Sequence, residues 1–300
     1  MSLAALLPPA APAGAAARAR LAGWYELTKP NIAFLVTMTA LVGFLAAAAR
    51  PLDLVRLAHT LVGTALAAGA AGVLNQWAER RADAEMRRTA RRPLPSGRLG
   101  GREAALFGLF LTAASTAYLA LATNPLAALL AVVTIGSYLL LYTPLKRVTS
   151  LATLVGAVPG AIPPLIGWAA ARGRLEPGAW VLFGILFLWQ MPHFLALAQL
   201  YRADYARAGF RMLTVEDATG ASAGRQAALY ALALLPVSLL PTLVGLSGPV
   251  YFAGALVLGA GFLVSGVRMA LRPGDVAAAR RLFRWSLLYL PAICVLLLAG

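Results

Sequence analysis

Cysteine occurs once in these 300 residues, as Cys294 inside an apolar run, so neither an intrachain disulfide nor a cysteine-built metal site can form. Histidine occurs twice, and acidic residues number 11 against 26 basic ones. Charged side chains make up 12% of the chain, where globular proteins average about 25%. That is too few to cover a soluble domain of this size. Hydrophobic residues reach 60%, and mean hydropathy is +0.76. Together these values exclude a cytosolic globular enzyme, a disordered chain and a disulfide scaffold, and predict a polytopic membrane protein.

A helix crosses a bilayer with about 20 mostly apolar residues. Nine segments come close: Asn31–Ala49, Leu57–Ala78, Ala104–Ala122, Leu126–Tyr142, Leu151–Ala171, Ala179–Leu200, Gln226–Leu246, Pro249–Ala270 and Phe283–Ala299. Connections as short as Thr123-Asn124-Pro125 and Ser247-Gly248 force antiparallel hairpins. The predicted fold class is all-α, a nine-helix membrane bundle, with residues 24–300 as one integral-membrane domain. Residues 1–23 are Ala- and Pro-rich, with Arg18 and Arg20 after their apolar stretch. A signal peptide puts its positive charge first, so a disordered cytoplasmic tail is expected instead.

A net charge of +15 would suit nucleic-acid binding, but the distribution of the charges argues for membrane topology. With nine alternating spans, 22 basic residues fall on the N-terminal side and 4 on the other: Arg50, Arg56, Arg172 and Arg174. The positive-inside rule then puts the N-terminus in the cytoplasm and the C-terminus outside. Nine of the eleven acids share the basic side, leaving only Asp53 and Glu176 opposite. No topology rule requires that.

Three clusters on this side carry chemistry. The first runs from Asn75 to Pro93, where the second span leaves the membrane. Asn75, Glu79 and Asp83 are spaced i, i+4, i+8, so on a helix they share one face at steps of about 6 Å. Three oxygen ligands there suit a hard cation such as Mg²⁺. The following Arg87, Arg88 and Arg91 suit a highly charged anion such as a diphosphate. The plainer reading is a salt-bridged helix end. The second cluster is Tyr201-Arg-Ala-Asp204-Tyr-Ala-Arg207-Ala-Gly-Phe210, whose Arg202-Ala-Asp204 repeats Arg81-Ala-Asp83 four spans later. Two related halves would bring Asp83 and Asp204 to one substrate; the alternative is Asp204 paired with Arg207. The third is Tyr142-Thr-Pro-Leu-Lys146-Arg147, either a topology signal or a further pair of diphosphate contacts.

These runs, with Thr28-Lys29-Pro30, Val155 to Pro164 and Trp189-Gln-Met-Pro-His193-Phe, resemble the UbiA-type membrane prenyltransferases over residues 24–300. The likeness is greatest to members acting on haem. It implies transfer of farnesyl from farnesyl diphosphate to a vinyl group of haem B, releasing diphosphate, at the cytoplasmic face of a bacterial inner membrane. It further implies Mg²⁺ held by Asn75, Glu79, Asp83 and Asp204, and diphosphate held by Lys29, Arg87, Arg88, Arg91, Lys146 and Arg147. Membrane lipid and haem-handling proteins are the expected partners, and nucleic acid is not one. Three positions depart from the family pattern: Glu79 stands where Asp is common, Arg81 where an acid is common, and Ala208 where a further Asp is common.

An allylic diphosphate ionises when its leaving group is stabilised, and the carbocation needs a dry cavity with aromatic faces. Tyr138, Tyr142 and Trp189 are candidates, although near helix ends such residues also serve as interface anchors. His193 is a polar side chain deep in the sixth span, read either as a hydrogen bond between helices or as a contact to the haem. His59 reads as interfacial. Gly156-x-x-x-Gly160 with Pro159, Pro163 and Pro164 predicts close packing and a kink in the fifth span. An aromatic acceptor such as 4-hydroxybenzoate remains the alternative substrate. A secondary transporter is disfavoured, since no Asp, Glu, Lys or Arg falls mid-span.

Overall fold

The computed structural model describes residues 13–217 and 219–299. Its helices are α1 (Ala13–Leu27), α2 (Pro30–Ala47), α3 (Leu54–Glu85), α4 (Gly101–Ala122), α5 (Pro125–Gly136), α6 (Thr143–Leu145), α7 (Ala152–Ala161), α8 (Pro163–Arg172), α9 (Pro177–Leu200), α10 (Arg202–Arg207), α11 (Leu213–Glu216), α12 (Ala221–Leu243), α13 (Pro249–Leu271) and α14 (Val276–Ala299). A π-helical turn, Ser137–Tyr142, joins α5 to α6. Among the described residues nine helical segments are long and apolar enough to span a membrane, one on each predicted segment.

Local chemistry sets many of the boundaries. Proline at the first turn starts α2, α5, α8, α9 and α13, where its missing N–H costs nothing. Asp53 and Asn124 cap α3 and α5 through the backbone N–H groups of Arg56 and Ala127.

Several boundaries differ from expectation, among them the end of α3, seven residues beyond Ala78, and the start of α12, five before Gln226. Helix α1 occupies part of the predicted disordered tail, of which residues 1–12 lie outside the described residues. Helix α14 begins seven residues before the predicted Phe283, so Arg280 and Arg281 are helical. The fifth span is two helices broken at Ile162, where Pro163 and Pro164 lack the N–H groups that would continue α7.

That broken span is the most enclosed of the nine, 72% buried against 28–50% elsewhere. Around it, α8 packs on α2 and α5, α7 packs on α9, and contacts of α2 with α3 and α14 help close the bundle. Lipid offers no hydrophobic drive between helices, so contact depends on close approach. A Cβ on Gly167 would sit 1.9 Å from the Ala40 carbonyl oxygen, and one on Gly43 2.0 Å from that of Pro164. The predicted Gly156 and Gly160 fit the same way, beneath the Tyr142 ring and the Gln190 side chain. Leu35, Phe110, Leu129, Leu229 and Val257 remain exposed, as a lipid-facing surface requires.

Candidate active site

Helix α3 continues to Glu85, so Asn75, Glu79 and Asp83 stack on one buried face at its end, exposed by only 2%, 7% and 0%. Each is met by a cation from a different part of the chain. Lys29 Nζ donates to Asn75 Oδ1 at 2.7 Å, Lys146 Nζ to Glu79 Oε1 at 2.7 Å, and Arg92 to Asp83 Oδ2 at 2.8 Å.

Backbone detail places these cations. Lys29 joins α1 to α2 in the left-handed region (φ 51°), which non-glycine residues seldom adopt; its N–H donates to the Glu26 carbonyl and its own carbonyl accepts from Ile32 N–H. The π-helical turn gives the chain one extra residue per turn before α6. Thr143 then donates to the Tyr138 carbonyl and accepts from Asn75 Nδ2 at 3.3 Å. One turn further, Lys146 lies 4.4 Å from the Tyr142 ring centroid and 5.6 Å from that of Phe210. Arg92 folds back after α3 ends, through a loop in which Thr89 bonds the Asp83 carbonyl.

Burial, reinforced by the positive charge of Arg92 and Lys146, lowers the Lys29 ammonium to about 7 against the pull of Glu79 and Asp83. For Lys146 burial also lowers, but the Glu79 carboxylate outweighs it and the ammonium is held above its ordinary range.

Helix α10 closes the mouth from the other half. Arg207 reaches the Glu85 carbonyl at 3.4 Å, and Arg88 lies 5.1 Å over the Tyr201 ring. Asp204 itself is turned to Arg207. Arg87, Arg91 and Arg147 are exposed on the same rim and make no ion pair among the described residues. Nor do three His, Cys, Asp or Glu side chains gather there as a metal-holding group among the described residues. One oxygen stands apart: Asp83 Oδ1 is buried with no hydrogen-bond partner.

His193 is half-buried between α9 and α14. Its ring stacks on Trp189 (5.1 Å) and Phe283 (4.9 Å), and Nδ1 lies 2.7 Å from Ser286 Oγ. His59 bonds the Tyr118 hydroxyl. Arg92, Thr143, Phe210 and Ser286 join the site although sequence assigns them no role: the first three lie within the clustered runs, and nothing near Ser286 marks it.

An all-helical membrane bundle whose mouth presents buried oxygens ringed by cations is the arrangement expected of a membrane enzyme acting on a charged, lipid-soluble substrate. The UbiA prenyltransferase family pattern matches residues 36–288. The chain is 49% identical over 284 residues to the protoheme IX farnesyltransferase of Solibacter usitatus, covering 92% of this chain and 97% of that one. It is 45% identical over 278 residues to that of Opitutus terrae, covering 93% and 94%. Among solved structures it resembles digeranylgeranylglyceryl phosphate synthase (TM-score 0.79, 16% identity, 94% and 98% covered). It also resembles a UbiA homologue from Archaeoglobus fulgidus bound to GPP and Mg²⁺ (TM-score 0.69, 14% identity, 92% and 99% covered). This chain belongs to the UbiA prenyltransferase family and is an integral-membrane prenyltransferase.

Proposed function

We propose that this enzyme moves a farnesyl group from farnesyl diphosphate to a vinyl group of haem B, giving haem O and diphosphate. The observation that carries the donor half is the buried row of Asn75, Glu79 and Asp83, each met by a cation from elsewhere in the chain. The acceptor half rests on relatives named protoheme IX farnesyltransferase at near full length.

The hard oxygens of Asn75, Glu79 and Asp83 suit Mg²⁺, and the unpartnered Asp83 Oδ1 supplies a free anionic donor, with Asp204 contributed from α10. When bound, Mg²⁺ would neutralise charge on the departing diphosphate. Lys29 and Lys146 hold that leaving group from within the bundle, and Arg87, Arg88, Arg91 and Arg147 hold it from the rim. Tyr138, 5.1 Å from Tyr142 between ring centroids, offers a π face to the allylic cation where the carbon–oxygen bond breaks, while the Tyr142 ring is taken up by Lys146 and Gly156. The terminal vinyl carbon of haem bonds to C1 of the farnesyl cation. Water then adds to the resulting porphyrin-side cation and loses a proton, leaving a hydroxyl.

His193 is the proposed haem contact. Ser286 Oγ donates its one proton to the Phe283 carbonyl at 2.6 Å, so it must accept from His193 Nδ1–H. That tautomer leaves the Nε2 lone pair free for iron. The charge asymmetry supports a bacterial inner-membrane enzyme with a cytoplasmic N-terminus and mouth. Incubating purified protein with haem B, farnesyl diphosphate and Mg²⁺ should yield farnesylated haem by mass spectrometry. Prenylated 4-hydroxybenzoate without farnesylated haem would refute the acceptor assignment.

A further inference from the structure

The last two spans flank a second basic site, an open concavity whose arginines are exposed. A pocket of about 470 Å³ lies between α13 and α14, lined by Arg268, Arg272, Arg281 and Arg284 with Trp285 and the buried Ser265. None of these residues belongs to the catalytic mouth. No carboxylate lines the pocket, and the four arginines make no ion pair among the described residues. Asp275 is the only acid after residue 217. Its side chain is turned to the backbone N–H of Ala277 at the start of α14.

Four guanidinium groups around one concavity repel one another unless an anion joins them, and their planar donors match phosphate oxygens. The pocket's volume falls in the range of ligand sites. Its wall is built as well as charged: Trp285 packs on Gly261, where a Cβ would come within 2.8 Å of the indole.

Neighbouring surface identifies the occupant. Val257, Val264 and Leu271 on α13, and Leu287, Leu288 and Val295 on α14, are 49% exposed or more. Apolar exposure on both helices that carry the arginines suits a molecule with an anionic head and acyl chains. We propose that this pocket binds the phosphate headgroup of an anionic phospholipid, whose chains lie along the outer faces of α13 and α14. Basic pockets between spans on the cytoplasmic side are suited to such headgroups.

Native mass spectrometry of the purified full-length protein, titrated with dioleoylphosphatidylglycerol or dioleoylphosphatidylcholine, tests this. The expected result is preferential retention of the anionic lipid. Binding should weaken by about tenfold or more in Arg281→Gln/Arg284→Gln, the order that two headgroup cations supply. It should survive in Arg281→Lys/Arg284→Lys, which keeps the charge and guards against misfolding as the cause. It should also survive in Arg280→Gln, which removes an arginine that does not line the pocket. Equal retention of both lipids, or equal loss in Arg280→Gln, would overturn the proposal. Displacement of the lipid by millimolar inorganic phosphate would assign the pocket to free phosphate instead, and displacement by farnesyl diphosphate to the substrate; either result also overturns it.

Discussion

Lys146 Nζ and Glu79 Oε1 meet at 2.7 Å in a place where both side chains are about nine-tenths buried. They come from different spans, 67 residues apart. Removing one partner strands the other charge without water, at a cost of about 3 kcal/mol. Glu79→Ala should therefore lower the thermal midpoint of the purified protein and also abolish turnover. The double variant Glu79→Leu/Lys146→Met should recover most of the stability and none of the activity. Recovery of activity in the double variant would show that the pair is structural only.

The proposed cation site makes a separate prediction. Asp83→Asn and Asp204→Asn should each reduce turnover by about a hundredfold or more, the scale of losing one charged contact to a developing anion. Asn75→Ala, which removes a neutral donor, should cost less. Chelation of divalent cations should stop farnesyl transfer and added Mg²⁺ restore it. Full activity in chelator, or in all of the carboxylate variants, would contradict the site.

Lys29 gives the enzyme a pH dependence. Its ammonium, lowered to about 7 chiefly by burial, is charged below that pH in the free enzyme and neutral above it. A bound diphosphate favours the charged form, so the affinity for farnesyl diphosphate should be full below pH 7. It should then fall as pH rises, by up to about tenfold per unit until the complex itself deprotonates. Lys29→Arg, charged throughout, should flatten this part of the profile. Comparing KM for the two proteins from pH 6 to 9 cancels the ionisation of the substrate.

His193→Ala should weaken haem B binding while leaving farnesyl diphosphate binding intact. Ser286→Ala frees His193 Nδ1 from its acceptor and should reduce haem binding less than loss of the imidazole does. The haem absorption band during titration reports iron ligation directly. An unchanged spectrum in His193→Ala would return this side chain to a link between α9 and α14.

Gly43→Ala and Gly167→Ala should each destabilise the bundle by about 1–3 kcal/mol, since the added methyl meets backbone carbonyls that cannot rotate away. Melting of the variants in detergent measures this. Gly136→Ala, with no atom near its would-be Cβ, is the control and should melt like the parent.

Much of this architecture is legible in the amino-acid order alone. Span length follows from bilayer thickness, and the face shared by Asn75, Glu79 and Asp83 follows from helical periodicity; both are local properties. The prolines at 163 and 164 likewise announce the broken span. Other features are not local. Lys29, Lys146 and Arg92 approach α3 from three separate segments, so no spacing reveals which acid each will hold. Arg92 does so through an irregular loop, and Lys146 through a π-helical turn that the apolar run does not encode. Gly156-x-x-x-Gly160 is a visible packing pattern, yet the closest backbone approach pairs Gly43 of the first span with Gly167, further along the same fifth span. The tautomer of His193 depends on Ser286, 93 residues later. Sequence determined where the chain crosses the membrane and on which side its charge collects, because burial of backbone and apolar surface is decided residue by residue. Tertiary structure decided which charges meet, because that depends on how separate helices pack.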